Sequence, residues 1–393
     1  MTGMLYMAWR YLLYHRVKTV ILILSITLIV YIPGGLRVLV RQSERQLTAR
    51  AEATPLLIGA KGSPLELVLN SLYFNADVPE TMLYGEVDRI ARTGFAVPIP
   101  FYVRFHAGDD VIVGTTLDYF ALRGLRLSLG SQMTRLGDCI VGSALAQRRR
   151  VGPSDHIVSS PENVFDLAGV YPLKMRVVGV LERSESPDDD AVFVDVKTAW
   201  VIQGLAHGHE DLSRPEAAPR VLKREGNVVV GNAAVVQYTE ITDANIDSFH
   251  FHGKVDTFPL TAIIAVPRDH KSATLLMGRY EAEESRHQAF KPIIVIDELL
   301  STIFTVQSFV VAALVLVGIA TLATGALVFM LSLRLRRREI ETMVKIGGSR
   351  RLVGCILATE MTSVLVVGIT LAAVLTWFTG HFAASAVRLF ILG

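Results

Sequence analysis

Three long, almost uncharged segments constrain this chain more than any other feature of its sequence. They cover residues 19–36, 299–333 and 352–378, and Glu360 is the only charged residue within them. A helix of about 20 apolar residues crosses a hydrocarbon core roughly 30 Å thick. The whole chain is 51% hydrophobic and only 19% charged. The sequence therefore predicts a membrane protein with an α-helical bundle of three transmembrane helices, at 19–40, 299–333 and 352–378.

The first apolar segment has two interpretations. Three cations within residues 10–18 precede it, as in the charged region of a cleavable signal peptide. However, the apolar run is longer than that of most signal peptides, and Pro33-Gly34-Gly35 leads into Arg37 instead of a small-residue cleavage site. The sequence favours a retained span with a kink near its outer end, preceded by a cytoplasmic amphipathic segment at 1–18.

The loop at 334–351 orients the three predicted spans. It carries seven cations and two anions, a net charge of +5, and short loops rich in Lys and Arg stay in the cytoplasm. Residues 41–298 are then predicted to form an extracytoplasmic domain. The C-terminal segment 379–393 is too short for a fourth span, so it either lies on the outer surface or re-enters the membrane.

Residues 41–298 have the pattern of a folded α+β domain. Short β-branched runs predict strands, and apolar residues at helical spacing predict helices between them. The predicted helices cover 64–74, 79–93, 142–150 and 270–290. The predicted strands are DDVIVGTTL, MRVVGVLE, AVFVDV, GNVVVGNAAVVQYTEI, PLTAIIAVP and KPIIVID.

The helix predicted at 64–74 is strongly apolar and follows a Gly-Ala-Lys-Gly turn. Two interpretations fit this pattern. The helix is either part of the domain core or a surface that contacts hydrophobic cargo.

The loop at 334–351 also has an amphipathic pattern. In a short helix, one side would carry Ile340, Met343, Val344 and Gly347, and the other side would carry Glu339, Glu341 and Lys345. Gly347-Gly348 can end this helix, and Ser349 is a good N-cap for the next one. The pattern predicts a short cytoplasmic helix that suits docking on another protein. A basic loop that only fixes topology is the alternative.

The stretch RRREIETMVKIGGSRRLVGCILATEMTSVLVVGI resembles the cytoplasmic loop and following span of FtsX/MacB/LolC-type ABC transporter permeases. The residues that match this family's pattern are Arg338, Glu339, Ile340, Ile346, Gly347, Ser349, Arg350 and Glu360. The outer domain resembles the MacB-type periplasmic domain. The segments that carry this resemblance are, in chain order, TTLDYFALRGLRLSLGS, CIVGSALAQRRRVG and MRVVGVLERSESPDDDAVFVDVKTAW.

The resemblance implies a permease subunit of a mechanotransmission-type ABC transporter in the bacterial inner membrane. It implies a MacB-like periplasmic domain and usually four spans, where this sequence predicts three. The implied partners are an ABC ATPase that binds Mg-ATP, a second permease copy in a homodimer or heterodimer, a periplasmic cargo or adaptor protein, and membrane lipids. The implied ATPase-coupling residues are Glu339, Ile340, Met343, Val344, Gly347, Gly348, Ser349 and Arg350.

The sequence itself lacks the motifs of a catalyst. It contains no G-x-x-x-x-G-K-[ST] loop to hold phosphates, no G-x-S-x-G elbow and no H-E-x-x-H helix. We therefore expect a chain that is not an enzyme and binds no cofactor of its own, with ATP hydrolysed by a partner. The net charge of +2 gives no reason to expect nucleic acid.

Three functions fit these features. The first is a permease that uses the partner's ATP hydrolysis to export or extract a hydrophobic, peptide-like, lipoprotein-like or metal-linked cargo. The second is an FtsX-like signalling protein that activates an envelope partner without transport. The third is a membrane-anchored metal-binding sensor without an ATPase.

Glu360 is the only carboxylate in a predicted span, and it has two interpretations. An ionisable group within a membrane helix often marks a transport path. Glu360 lies about two turns from the cytoplasmic end of its helix, so Arg350 or Arg351 can also satisfy it at the interface.

Paired histidines give the one indication of a metal. Imidazoles at positions i and i+2 can share a first-row metal, and nearby carboxylates can complete the coordination. The pairs lie in AHGHEDL, predicted as a flexible loop, and in SFHFHGK, predicted as a strand. A solvated loop and an exposed strand edge are the alternative. The candidate ligands for zinc are His207, His209, Glu210, Asp211, His250 and His252.

Overall fold

The computed structural model describes residues 2–75, 77–161, 172–209, 221–225, 228–231, 238–281, 285–335, 337–345 and 349–392. The chain divides into two compact units. One comprises Met1–Leu47 together with Glu298–Gly393, and the other is Thr48–Asp297.

The described helices and strands are numbered in chain order. The helices are α1 (Thr2–Tyr14), α2 (Arg16–Glu52), α3 (Pro64–Tyr73), α4 (Gly85–Thr93), α5 (Leu117–Arg123), α6 (Ser143–Arg149), α7 (Val196–Ile202), α8 (His270–Tyr280), α9 (Pro292–Leu335), α10 (Arg337–Lys345) and α11 (Arg350–Leu392). The strands are β1 (Leu56–Ala60), β2 (Met82–Leu83), β3 (Ala96–Ala107), β4 (Asp110–Thr115), β5 (Leu127–Gly130), β6 (Asp138–Val141), β7 (His156–Val158), β8 (Lys174–Leu181), β9 (Val192–Asp195), β10 (Ala206–Gly208), β11 (Val221–Glu225), β12 (Val228–Gly231), β13 (Phe249–Phe251), β14 (Pro259–Leu260), β15 (Ala262–Pro267) and β16 (His287–Phe290).

A mixed ten-stranded sheet organises the Thr48–Asp297 unit. Its order is β16-β1-β15-β3-β4-β9-β6-β8-β5, and β7 also pairs with β8. The β4–β9 and β6–β8 pairs are parallel, and the other pairs are antiparallel. The core is built from apolar residues on both faces of these strands and on the helices that pack on them, with Phe101, Tyr102, Phe193 and Trp200 among its largest fully buried side chains.

Helix α3 belongs to this core. It begins after Ser63, whose hydroxyl accepts a hydrogen bond from the Glu66 amide at 3.3 Å. Leu67, Val68 and Leu72 on its inner face are almost completely buried. The core interpretation of this apolar helix is therefore the correct one.

The other unit consists of long apolar helices. Among the described residues, three helices are long and apolar enough to cross a membrane, at Arg16–Glu52, Pro292–Leu327 and Gly354–Phe382. Small residues bring α2 and α11 close together, because a Cβ on Gly368 would lie 2.8 Å from the Ile26 side chain. The Thr27 hydroxyl donates to the carbonyl oxygen of this glycine at 3.2 Å. The predicted fold class, apolar helices together with a large α+β domain, is confirmed.

Several predicted boundaries differ from the observed ones. The segment KPIIVID, predicted as a strand, is the start of α9. Pro292 occupies the first helical position, where proline is well tolerated, and the long apolar helix continues directly from it. At the other end, α11 continues to Leu392 and so includes almost all of the predicted C-terminal segment 379–393. Apart from Arg388 this segment has no Asp, Glu, Lys or Arg, and the apolar helix continues through Gly380.

Two predicted helices are shorter than expected because part of each pairs as a strand. The helix predicted at 79–93 starts only at Gly85, since Met82–Leu83 pairs with β14. The helix predicted at 270–290 ends at Tyr280, and His287–Phe290 forms an edge strand beside β1. In both places tertiary pairing overrides the helical spacing.

Candidate functional site

The predicted coupling residues lie around a short helix. Helix α10 has nine residues and is flanked by the ends of α9 and α11. On its exposed side Arg337 Nε lies 3.1 Å from Glu341 Oε1. Exposed Ser349 directly precedes α11, which begins at Arg350.

The remaining coupling residues are only partly described. Glu339, Ile340, Met343 and Val344 are helical residues of α10, but their side chains, like that of Arg350, lie outside the described part of the chain. Gly347 and Gly348 lie outside the described residues altogether.

Glu360 is buried, with 6% of its surface exposed, on α11. Arg351 on the same helix is exposed. Pairing of Glu360 with one of the two neighbouring arginines stays a prediction.

A buried ionic cluster that no sequence pattern predicts lies at the end of α2. The Arg50 cluster consists of Arg50, Tyr119 and Asp188. The Arg50 guanidinium donates to both Asp188 carboxylate oxygens, at 2.7 and 2.9 Å, and to the Tyr119 hydroxyl at 2.7 Å. Tyr119 in turn donates to Asp188 at 2.6 Å. This planar, bidentate pairing satisfies the buried charges.

The surroundings of Asp188 hold it in place. It lies in a single turn of 3-10 helix at Pro187–Asp190, and a Cβ on Gly142 would come within 2.3 Å of the carbonyl oxygens of this turn. A residue larger than glycine cannot occupy that position without displacing the turn. Burial by itself would raise the pKa of Asp188, but the charge of Arg50 and the hydrogen bonds from Arg50, Tyr119 and Ser186 hold that pKa below its usual range.

Four histidines form a second polar cluster, on a two-stranded ribbon. Strands β10 and β13 pair antiparallel, and the register places His207 directly opposite His250. Because side chains alternate along a strand, residues two positions away share the same face. The histidine cluster therefore consists of His207, His209, His250 and His252. The prediction of a flexible loop around His207 is wrong, since this residue pairs in a strand.

The rings of this cluster are close to one another. His207 lies 5.1 Å from His250 and 4.5 Å from His252 between ring centroids. One nitrogen from each of His207, His209 and His250 lies within 4.8 Å of the others. Burial and the three neighbouring imidazoles lower the pKa of His207, which favours the neutral form that binds metals. The other two candidate ligands, Glu210 and Asp211, lie outside the described residues.

The opposite face of the ribbon is anchored in the core. Ala206 is buried, and the Phe251 ring lies 6.5 Å from the buried indole of Trp200. The backbone amide of His252 donates to the Leu205 carbonyl at 2.8 Å, which holds the two strands together. The four imidazoles are therefore carried by a fixed support.

Comparison with known proteins identifies the family of this chain. A family model for the MacB-like periplasmic core domain matches residues 19–243, more than half of the chain. The chain belongs to this family. The predicted resemblance to MacB/FtsX-type ABC transporter permeases is thereby confirmed, and members of this MacB-like family are transmembrane permease components.

Two solved structures are similar to the MacB-like chain. The periplasmic region of MacB from Actinobacillus actinomycetemcomitans is 10% identical with a TM-score of 0.33, covering 66% of this chain and 97% of that one. The extracellular domain of the noncanonic ABC-type transporter YknZ from Gram-positive bacteria is 10% identical with a TM-score of 0.31, covering 60% of this chain and 98% of that one. No curated protein matches the chain.

The MacB-like match includes the whole Arg50 cluster but only part of the histidine cluster. Arg50, Tyr119 and Asp188 all fall within 19–243, whereas the strand that carries His250 lies beyond that range.

Proposed function

We propose that this chain is a non-catalytic permease subunit that relays ATP-driven motion to an extracytoplasmic domain. A separate ABC ATPase hydrolyses Mg-ATP on the cytoplasmic side, and two permeases and two ATPases form the working unit. The relayed motion exports or extracts a hydrophobic, peptide-like, lipoprotein-like or metal-linked cargo in the bacterial inner membrane. The family match supports this proposal, and the geometry of α2 provides its mechanical basis.

The observation that carries the proposal is the length and continuity of α2. This helix runs without a break from Arg16 to Glu52. At about 1.5 Å per residue it is roughly 55 Å long, whereas the hydrocarbon core is about 30 Å thick. One helix, with Pro33 inside it, thus contains both the first apolar span and the residues that follow it in the Thr48–Asp297 unit.

The Arg50 cluster fixes the last turn of that helix. Arg50 lies in this turn and is bound to Asp188, which is far away in the sequence and sits between strands of the sheet domain. The guanidinium also lies over the Phe74 ring, 5.3 Å from its centroid. Within the Thr48–Asp297 unit, the last turn of α2 is therefore held to the sheet domain by a buried ion pair, through which we propose that a displacement of α2 acts on the sheet.

The first experiment tests whether α10 is the surface that receives the ATPase. Met343→Asp puts a charge on the predicted apolar side of the helix, and an unpaired charge in a desolvated contact costs several kcal/mol. We expect this variant to lose the ABC ATPase that co-purifies with the tagged parent chain, with affinity lowered by about 100-fold or more. ATPase activity and mass spectrometry of the purified complex provide the measurement.

Two further variants make this experiment specific. Thr342→Asp introduces the same charge at the neighbouring exposed position, about 150° away from the centre of the apolar side, and should retain the ATPase. Gly347→Val should retain at least part of the ATPase but uncouple its hydrolysis from the outer function, because a β-branched residue resists the positive φ expected of this turn. Full ATPase binding by Met343→Asp would refute the docking role of α10.

A further inference from the structure

We propose that the histidine cluster is an exchangeable binding site for a divalent transition metal of the zinc class, with His207, His209 and His250 as the protein ligands. This proposal does not rest on the proposed function, since it concerns a site on the chain by itself. Among the described residues, these three form the one group of His, Cys, Asp or Glu side chains with metal-binding spacing.

The spacing fits a metal after small side-chain rotations. Zinc binds imidazole nitrogen at about 2.0–2.1 Å, so two ligands of a tetrahedral ion lie roughly 3.4 Å apart. The three candidate nitrogens lie within 4.8 Å of one another, so rotations of the imidazole side chains have to bring them closer together around an ion. The ribbon that holds them is fixed through its apolar face, so little order has to be gained upon binding.

The four histidines form two triangles that share one edge. His207 and His250 face each other across the strands and form the shared edge. His209 completes one triangle, with ring centroids 5.8 and 5.2 Å from the other two. His252 completes the second triangle, but only the triangle with His209 brings all three nitrogens within 4.8 Å. The geometry therefore places His252 next to the metal site and not among its three ligands.

The donor set selects the metal. Imidazole nitrogen suits zinc, copper and nickel, whereas calcium and magnesium prefer oxygen ligands. Both cysteines lie elsewhere, with Cys139 buried in the sheet and Cys355 on an apolar helix, so no thiolate favours a monovalent copper ion.

Within the part of the chain that the structure describes, three protein ligands leave a fourth position open to water or to a passing ligand, as in catalytic zinc sites. Structural zinc sites are closed by four protein ligands, and small domains that depend on them unfold without metal. The ribbon is held by its own strand pairing and by Trp200, so the metal is not required to form it. We therefore expect the chain to fold equally well with and without zinc.

The test uses the full chain, purified in detergent and stripped with a chelator. Zinc is titrated in competition with a chromophoric chelator, and the parent should bind one ion per chain at this site. His250→Ala should weaken binding on the order of 100-fold, because it removes one of three protein ligands. His252→Ala is the matched control, since both residues are exposed and His252 directly follows β13, two positions after His250. It should weaken binding by less than about 10-fold.

Cobalt provides a direct signature of coordination. Visible absorption from Co²⁺ in a site of low coordination number should appear in the parent and in His252→Ala and disappear in His250→Ala and His209→Ala. Far-UV circular dichroism checks that each variant is folded.

Three results would overturn the proposal. One is a parent chain that binds no zinc, and a second is equal affinity in the parent and His250→Ala. The third is a large loss in His252→Ala with no loss in His209→Ala, because that result would assign the metal to the other triangle.

Discussion

The Arg50 cluster and the histidine cluster are both polar groups of the same unit, but they differ in burial and in charge balance. Asp188 is 1% exposed and Arg50 is 8% exposed, and each charge meets its opposite in a hydrogen-bonded pair. The histidine cluster combines four like groups, and His250 and His252 are exposed. Opposite charges that satisfy each other inside the core stabilise a fold, whereas like ligands held side by side at the surface are available to a partner from outside, which is the basis of the proposed metal site.

The largest expected effect comes from breaking the buried pair. Arg50→Met leaves the Asp188 carboxylate buried without its partner and should lower the free energy of unfolding by about 3–5 kcal/mol. Urea unfolding of the full chain in detergent, followed by the fluorescence of buried Trp200 in a Trp9→Phe, Trp377→Phe background, measures this change.

The controls for this prediction remove a charge without leaving an unpaired charge in the core. Arg45→Met on the same helix alters an exposed side chain and should change stability by about 0.5 kcal/mol or less. Arg50→Met combined with Asp188→Leu should recover much of the loss, because both charges disappear together. An equal loss in Arg45→Met and Arg50→Met would mean that the Arg50 cluster does not stabilise the unit.

A substitution in the histidine cluster should have little effect on stability unless zinc is bound. Without metal, His250→Ala should change stability by about 0.5 kcal/mol or less, because the residue is exposed. Free zinc at about 100 times its dissociation constant should stabilise the parent by about 2.7 kcal/mol. At the same zinc concentration the unfolding assay should detect only about 0.4 kcal/mol of stabilisation in His250→Ala, because its affinity is expected to be about 100-fold lower. A variant that is strongly destabilised in the absence of metal would make the cluster structural, like the Arg50 cluster.

The smallest effect is a dependence of stability on pH that belongs to the Arg50 cluster. The folded pKa of Asp188 is depressed, so its contribution to stability is complete above its ordinary value of about 3.9 and is lost as the pH falls through the lower folded value. Unfolding in the acid range should therefore show a smaller pH dependence for the Arg50→Met, Asp188→Leu variant than for the parent. Identical pH profiles would show that Asp188 does not contribute to the loss of stability in acid.

The sequence by itself determined the membrane class, the number of apolar helices and the α+β character of the Thr48–Asp297 unit. These properties depend on local patterns: uncharged runs long enough to cross a bilayer, and β-branched runs between helical ones. The resemblance to the family also came from contiguous motifs. Local patterns failed at KPIIVID, because a run of apolar β-branched residues has the same appearance in a strand and at the start of a buried or membrane helix.

Tertiary structure decided which polar residues meet. Arg50 and Asp188 are 138 positions apart, and no periodicity in either segment relates them. The histidine pairs were visible as two separate i, i+2 patterns, but only the antiparallel register of β10 and β13 places His207 opposite His250. Register depends on how a whole ribbon packs on its core, and a shift of one residue would turn these side chains to the other face. Pairings between distant segments are therefore set by packing, while the sequence supplies the residue types that packing brings together.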